Sequence, residues 1–355
     1  MKITGFKIEP LMIKLKAPVV LSYGTISEVE SIILQVITDS GIAGYGEAST
    51  IAFVTGETPA SIKATLKLFE IALLGQDALA IGKVHAVMDG MINGNSAAKC
   101  AVDLALYDIM GKVLGQPLYK LLGGYSNSFT TDVYLPIDTP ANMAKEAVNY
   151  VGQGFTAFKI KAGKDFLADI EAAKKIREAV GKNIVLRIDA NQGWTVTDTL
   201  KVAKALEDYD IEAIEQPVPY WDIEGMAEVK RKIGQIKLIA DESVHTPFDA
   251  IRLVRANAAD MFSIKLAKSG GIYKALQINA IAQSSGLECM LGCMIETGIS
   301  ISAAAHLKAA QKNIVVGDID AVVLVDEPRV RCAFLYNKSQ ITLTDTPGLG
   351  VEVDI

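Results

Sequence analysis

From about residue 130 onward, short apolar runs alternate with segments whose apolar positions recur at the three- and four-residue spacing of a helix. The runs begin at Thr131, Phe155, Ile184, Ile211, Lys237, Met261, Leu287 and Ile314, at intervals of 24, 29, 27, 26, 24, 26 and 27 residues. Helical patterns, such as those from Asp165 to Val180 and from Gly271 to Ser284, fill the gaps. Eight strands at that interval predict an α/β fold, a parallel barrel, because each parallel crossover needs a helix-length connection. Barrel strands are buried on both faces and read as nearly continuous apolar runs, so polar residues at their ends stand out.

The first 125 residues follow another pattern. Two alternating runs, 2–13 and 31–38, and a third apolar piece, GIAGYGEA from Gly41, precede helical stretches at 58–74 and 97–114. This predicts an α+β domain over 1–125, joined through LLGGYSNS to a barrel over 126–325. The tail, about 326–355, is too short for another strand–helix unit and is expected to complete the first domain.

Composition narrows the function classes. Half of the 355 residues are hydrophobic and 21% are charged, as in ordinary globular proteins. A formal net charge of −6 argues against a nucleic-acid partner. No leader pattern opens the chain and no apolar run approaches a membrane span, so a cytoplasmic protein without a membrane partner is expected. Four cysteines make no disulfide framework, and Cys289 and Cys293 on one strand would stand about 13 Å apart. Three histidines leave little for a histidine-rich transition-metal site, whereas an oxygen-ligand site for a hard cation stays open.

The strand ends carry the chemistry. In TAFKIKAG, Lys159 and Lys161 share one side of a strand. An exposed edge strand would explain such lysines in isolation. Strand three, however, ends in Asp189 with Asn191, strand four in Glu215, strand five in Asp241, and strand six carries Lys265. On a β/α barrel these ends converge on the face where barrel enzymes work. Three carboxylates facing one point repel strongly, and a divalent cation relieves this. Mg²⁺ takes oxygen ligands and would leave positions for water and substrate. Arg187 shares a face with Asp189 and reads as a structural ion-pair partner.

A lysine among cations and shielded from water has a lowered pKa and can serve as a base. Lys161 is the candidate base, with Lys159 and the ion as its charged neighbours. Lys161 and Lys265 lie on strands two and six, across the barrel from each other. A substrate held between them by its carboxylate would lose an α-proton to one lysine and regain one from the other, inverting the stereocentre.

The K-x-K of strand two, the D-A-N, E-Q-P and D-E-S strand ends and K-L-A-K of strand six resemble the muconate-lactonizing subgroup of the enolase superfamily. The resemblance spans essentially the whole chain and implies a (β/α)7β barrel capped by an α+β domain built from both termini, with two cap loops closing over the substrate. Asp318 and Asp320, in GDID, are similar to the D-x-D with which dipeptide epimerases hold a free amino terminus. CMIET and SAAAHLKAAQKNI resemble the same family.

The implied activity is Mg²⁺-dependent epimerisation at the C-terminal residue of an L-Ala-Xaa type dipeptide, with one ion per subunit in a homo-oligomer. Met294 and Glu296 are assigned to the substrate pocket, and Asn191, Gln216 and Lys268 to support of the site. Specificity is expected in the cap segments 18–26 and 49–58. Epimerases acting on alanyl-glutamate carry an arginine in the first of these, and this chain has none. Val19, Leu21, Tyr23, Ile51 and Phe53 suggest an apolar pocket instead, with Tyr134 reshaping strand one. The alternatives are o-succinylbenzoate synthase, muconate cycloisomerase or N-acylamino acid racemase on the same scaffold, none of which uses a substrate ammonium, or a peptide-binding relic without activity. GYGEAS and the Ser269–Gly271 turn are weak phosphate signals, the latter expected to cap a helix.

Overall fold

The computed structural model describes residues 1–22, 24–332 and 334–354, with Leu21, Val322 and Asp326 described by backbone alone. Three antiparallel strands open the chain: β1 (Ile3–Leu21), β2 (Gly24–Thr38) and β3 (Ala43–Ala48). A short strand, β4 (Ser128–Thr130), leads into the barrel. The barrel strands are β5 (Val133–Leu135), β6 (Ala157–Lys161), β7 (Val185–Asp189), β8 (Ile211–Glu215), β9 (Lys237–Ala240), β10 (Met261–Ile264), β11 (Glu288–Gly292) and β12 (Ile314–Asp318). They form one parallel sheet in sequence order, and a bridge between Thr131 and Gly317 closes it into a barrel. Among the described residues no helix is long and apolar enough to cross a membrane.

The barrel helices start where short polar side chains can serve the first free N–H groups. Thr139, Asp165, Thr195, Asp222, Thr246 and Thr297 each accept a hydrogen bond from a backbone N–H in the helix that follows. The helix Ile272–Ser284 departs from this rule. It begins after Gly271, and its cap comes from the other domain: Asp103 accepts the N–H groups of Ile272 and Tyr273 and also meets His85 at 2.6 Å. That helix N-terminus is therefore occupied by a protein carboxylate, which removes it as an anion site.

The glycines of GYGEA have a packing origin. A Cβ at Gly44 would lie 2.0 Å from the Ala105 carbonyl oxygen, and one at Gly46 1.8 Å from that of Ala101, so only glycine lets β3 lie against the helix Ser96–Leu114. Glu47, fully buried in the same strand, accepts from Thr297 N–H and Oγ1, Ser300 N–H and Ser31 Oγ. One cap carboxylate thus caps the barrel helix Gly298–Ala310.

Two features lie outside the sequence pattern. Residues 18–22 and 24–26, expected as part of a loop, lie at the β1–β2 hairpin end, where Val19 to Leu21 pair with Ile26 to Gly24, after a register shift between Lys14 and Val19. The tail divides: Val325–Asp326 pairs with β1, while the strands Phe334–Asn337 and Gln340–Leu343 form a sheet with β4.

Candidate active site

In the barrel register, Lys161 stands opposite Asp189 and Asp189 opposite Glu215. Glu215 pairs with Ile239, and Asp241 follows two residues later on the same side. Lys265 follows the last residue of β10. Within an eight-stranded barrel β6 and β10 are four strands apart, so Lys161 and Lys265 face each other across it. Both line one cavity with Lys159, Asn191, Glu242, Asp318 and Asp320.

Ammonium groups meet the acids. Lys161 Nζ is 2.7 Å from Asp189 Oδ2, and Lys265 Nζ is 2.7 Å from Asp241 Oδ2. Lys268, fully buried, lies 2.6 Å from Asp241 Oδ1. Lys159 binds Asp318 and stands 3.3 Å from Glu215 and 4.0 Å from Asp189. Gln216 Oε1 accepts the N–H groups of Asp241 and Ser243, holding the β9 end in place. Asn191 donates its backbone N–H to Asp189 and its amide to Glu242.

Burial and charge set the protonation states. Burial, with the neighbouring Asp189 and Asp241 charges, pushes Glu215 up to about 8 against the pull of Lys159. Burial works to raise Asp241 too, but Lys265 and Lys268 outweigh it and hold that carboxyl below the usual range. Burial alone would lower Lys159 and Lys265, yet the acids around them keep both well above the ordinary lysine value.

Asp189, Glu215 and Asp241 offer only oxygen donors, the set a hard cation prefers. Glu215 Oε1 is buried without a hydrogen-bond donor, an orphan that such an ion would satisfy. Among the described residues no group of three or more acid, histidine or cysteine side chains is arranged to hold a metal as it stands, since ammonium groups intervene between the acids.

The remaining expected residues divide. Val19, Ile51, Tyr134 and Met294 line the cavity. Phe53 is 53% exposed and outside it, because in the single turn Ala52–Thr55 the inward positions fall to Ile51 and Val54. Glu296 sits behind Met294, accepts that residue's N–H, and borders a neighbouring cavity. Burial and Glu47 push it up to about 8. Tyr23 and the Leu21 side chain lie outside the described residues.

Sequence reasoning passed over Leu15, Ile26, Val54, Glu242, Cys293, Ala321 and Leu324, all at the cavity wall. Ile26 and Val54 lie within the cap segments already singled out, and Glu242 is the middle residue of D-E-S. Asp320 accepts the Tyr134 N–H at 2.9 Å and lies 3.9 Å from Cys293 Sγ. Burial and Asp318 push it up to about 6.

Comparison with known proteins agrees with this geometry. Residues 3–123 match the mandelate racemase/muconate lactonizing enzyme N-terminal domain, and residues 142–355 match the enolase C-terminal domain-like family. The chain is 45% identical to the hydrophobic dipeptide epimerase of Enterococcus faecalis, covering 99% of both sequences. It is 39% identical to the L-Ala-D/L-Glu epimerase of Clostridium acetobutylicum, again over 99% of both. The crystal structure of a dipeptide epimerase from Enterococcus faecalis, complexed with Mg and the dipeptide L-Leu-L-Tyr, superposes with a TM-score of 0.97 at 44% identity, over 99% of this chain and 100% of that one. The chain belongs to the mandelate racemase/muconate lactonizing enzyme family of the enolase superfamily, among relatives that are isomerases of amino acid derivatives.

Proposed function

We propose that this protein is a Mg²⁺-dependent dipeptide epimerase that inverts the α-carbon of the C-terminal residue when that residue is apolar. The observation that carries the reading is the placement of Lys161 and Lys265 on opposite walls of one cavity that also contains Asp318 and Asp320. The full-length similarity to dipeptide epimerases supports it.

The chain's own residues divide the work. Asp320 takes the substrate ammonium, and Lys159 meets the substrate carboxylate. One of the two facing lysines, as the free amine, takes the α-proton, and the electron pair moves into the carboxylate to give an enediolate. The opposite lysine, as the ammonium, returns a proton to the other face of the same carbon. Asp189, Glu215 and Asp241 would hold a Mg²⁺ ion, which supplies when bound the positive charge that offsets charge gained by the substrate carboxylate. The β1–β2 hairpin reaches the β7 end of the barrel. Ser22 Oγ donates to the Asn191 carbonyl oxygen there, at 2.9 Å.

Apolar walls select the side chain. Ile26, Ile51 and Val54 of the cap cluster with Met294 and Ile295 of the barrel. On the Asp320 side, Val19, Tyr134, Ala321 and Leu324 offer a second wall for the N-terminal residue. Cycloisomerase, synthase and N-acyl racemase substrates would leave Asp320 without an ammonium to bind. A homo-oligomer follows from the resemblance alone. The test is a library of dipeptides incubated in heavy water with Mg²⁺. Mass spectrometry should find one deuterium at the C-terminal α-carbon of apolar members, and no exchange in any member would end the proposal.

A further inference from the structure

Beside the cavity, one buried carboxylate ties together the two loops that carry Lys161 and its partners. Asp169 stands in the first turn of the helix Phe166–Val180 and is 7% exposed. A single oxygen, Oδ2, accepts the backbone N–H of Gly163 at 2.9 Å and the indole N–H of Trp194 at 3.0 Å. Gly163 lies just beyond Lys161, in the loop after β6, and Trp194 lies just beyond Asn191, in the loop after β7. The two loops touch backbone to backbone: a Cβ at Gly193 would lie 2.1 Å from the Gly163 carbonyl oxygen, and one at Gly163 2.1 Å from that of Ala190.

Lys161 depends on this junction more than its neighbours do. It is the last residue of β6, and the ladder to β5 ends before it, at Leu135 opposite Ile160, so Lys161 is paired on the β7 side alone. Asp189 is paired on both sides, with Lys161 and with Glu215. The Lys161 ammonium meets Asp189 Oδ2 at 2.7 Å and Asn191 Oδ1 at 3.3 Å, and Asn191 belongs to the loop that Trp194 closes. Lys265 stands on the far wall, where it meets Asp241.

We propose that Asp169 is a positioning residue for Lys161: by clamping the loop after β6 to the loop after β7, it aims that side chain at the substrate α-carbon. This rests on the reading that Lys161 and Lys265 each serve one face of that carbon. Without the carboxylate, two N–H groups lose their acceptor, and the loops part at the end of β6 that only one neighbouring strand secures. A displacement of about 1 Å at a reacting group can slow its step about 100-fold. The loss falls on the Lys161 face, whereas a clamp that served the fold alone would slow both faces alike.

The test uses the full-length protein in heavy water with saturating Mg²⁺ and both epimers of an apolar dipeptide that the wild type epimerises. Initial rates of α-proton loss give kcat and KM for each epimer. Lys161→Ala first identifies the epimer whose proton Lys161 takes. Asp169→Ala is expected to lower kcat for that epimer by at least about tenfold, while kcat for the opposite epimer and KM for both stay within about threefold of wild type. Asp169→Asn keeps an oxygen that can accept both N–H groups and is expected within about threefold of wild type for both epimers. If the alanine variant does not fold, Trp194→Phe removes the bond on the β7 side alone and is expected to slow the same epimer selectively, by more than about threefold.

A folded alanine or phenylalanine variant that slows both epimers alike, the opposite epimer more, or neither overturns the inference, as does an asparagine variant as impaired as the alanine one. A wild type that exchanges neither epimer brings down the proposed activity, and the inference with it, before any variant is compared. A Lys161→Ala variant that exchanges both epimers at the wild-type rate does the same for the division of faces, so these failures are distinguishable from one at Asp169.

Discussion

Lys161 Nζ lies 2.7 Å from Asp189 Oδ2, on the neighbouring strand and in direct register. The pairing ties a candidate base to a candidate metal ligand. Lys265 and Asp241 repeat the arrangement on the far wall, also at 2.7 Å.

Asp320 should decide whether a free ammonium is required. A charged hydrogen bond contributes roughly 1.5–3 kcal/mol, so Asp320→Asn should raise KM for dipeptides by about 10- to 100-fold. Turnover of an N-acetylated dipeptide, where measurable, should not fall. Because burial and Asp318 raise this carboxyl to about 6, it loses its charge as pH falls through that value, and KM should climb over the same range. A KM indifferent to both changes would remove Asp320 from ammonium binding.

The cap wall should reject an acidic side chain. The only cations at the cavity wall among the described residues are Lys159, Lys161 and Lys265, all at the reacting end. An unpaired carboxylate against Ile26, Ile51 and Val54 costs several kcal/mol, so kcat/KM for a C-terminal leucine should exceed that for glutamate by about 100-fold or more. Ile51→Arg should narrow the ratio. Equal rates for leucine and glutamate in the wild type would contradict an apolar pocket.

Glu47 should matter for stability. Its truncation to alanine leaves the N–H groups of Thr297 and Ser300 without their acceptor in a buried junction, a loss of about 3 kcal/mol. Glu47→Gln retains one acceptor oxygen and should lose less. Chemical denaturation of the two variants checks the order.

His306 should make folding sensitive to acid. Its Nδ1 accepts the Tyr119 N–H and its Nε2 meets the Leu349 carbonyl oxygen, an arrangement suited to the neutral ring. Burial lowers its pKa to about 4, below the ordinary 6.5. A depressed histidine gives stability that is complete above pH 6.5 and is lost as pH falls through 4, on the order of 3 kcal/mol in all. Urea midpoints between pH 7 and 4 should fall less steeply in His306→Gln than in the wild type.

Much of the site is legible in the chain because a barrel repeats. A period near 26 residues brings every strand end to one face, so Asp189, Glu215 and Asp241 can be grouped without knowing any long-range contact. The rest depends on contacts between distant residues. Nothing local says that Asp318 will meet Lys159, 159 positions away, or that Glu47 will cap a helix beginning at Gly298. The tail strands pair with β4 because an edge was open there, which no periodicity records. Phe53 and Ile51 are alike in a hydropathy pattern, and only the single helical turn between them decides which faces inward.

The central claim is that each facing lysine serves one face of the α-carbon, and single-lysine variants test it most directly. Lys161→Ala and Lys265→Ala, each incubated with both epimers of an apolar dipeptide in heavy water, should lose epimerisation by at least about 100-fold. Each should still exchange the α-proton of one epimer, and the epimer should be opposite for the two variants. Retention of full epimerisation by either variant, or exchange of the same epimer by both, would contradict proton transfer between these two side chains.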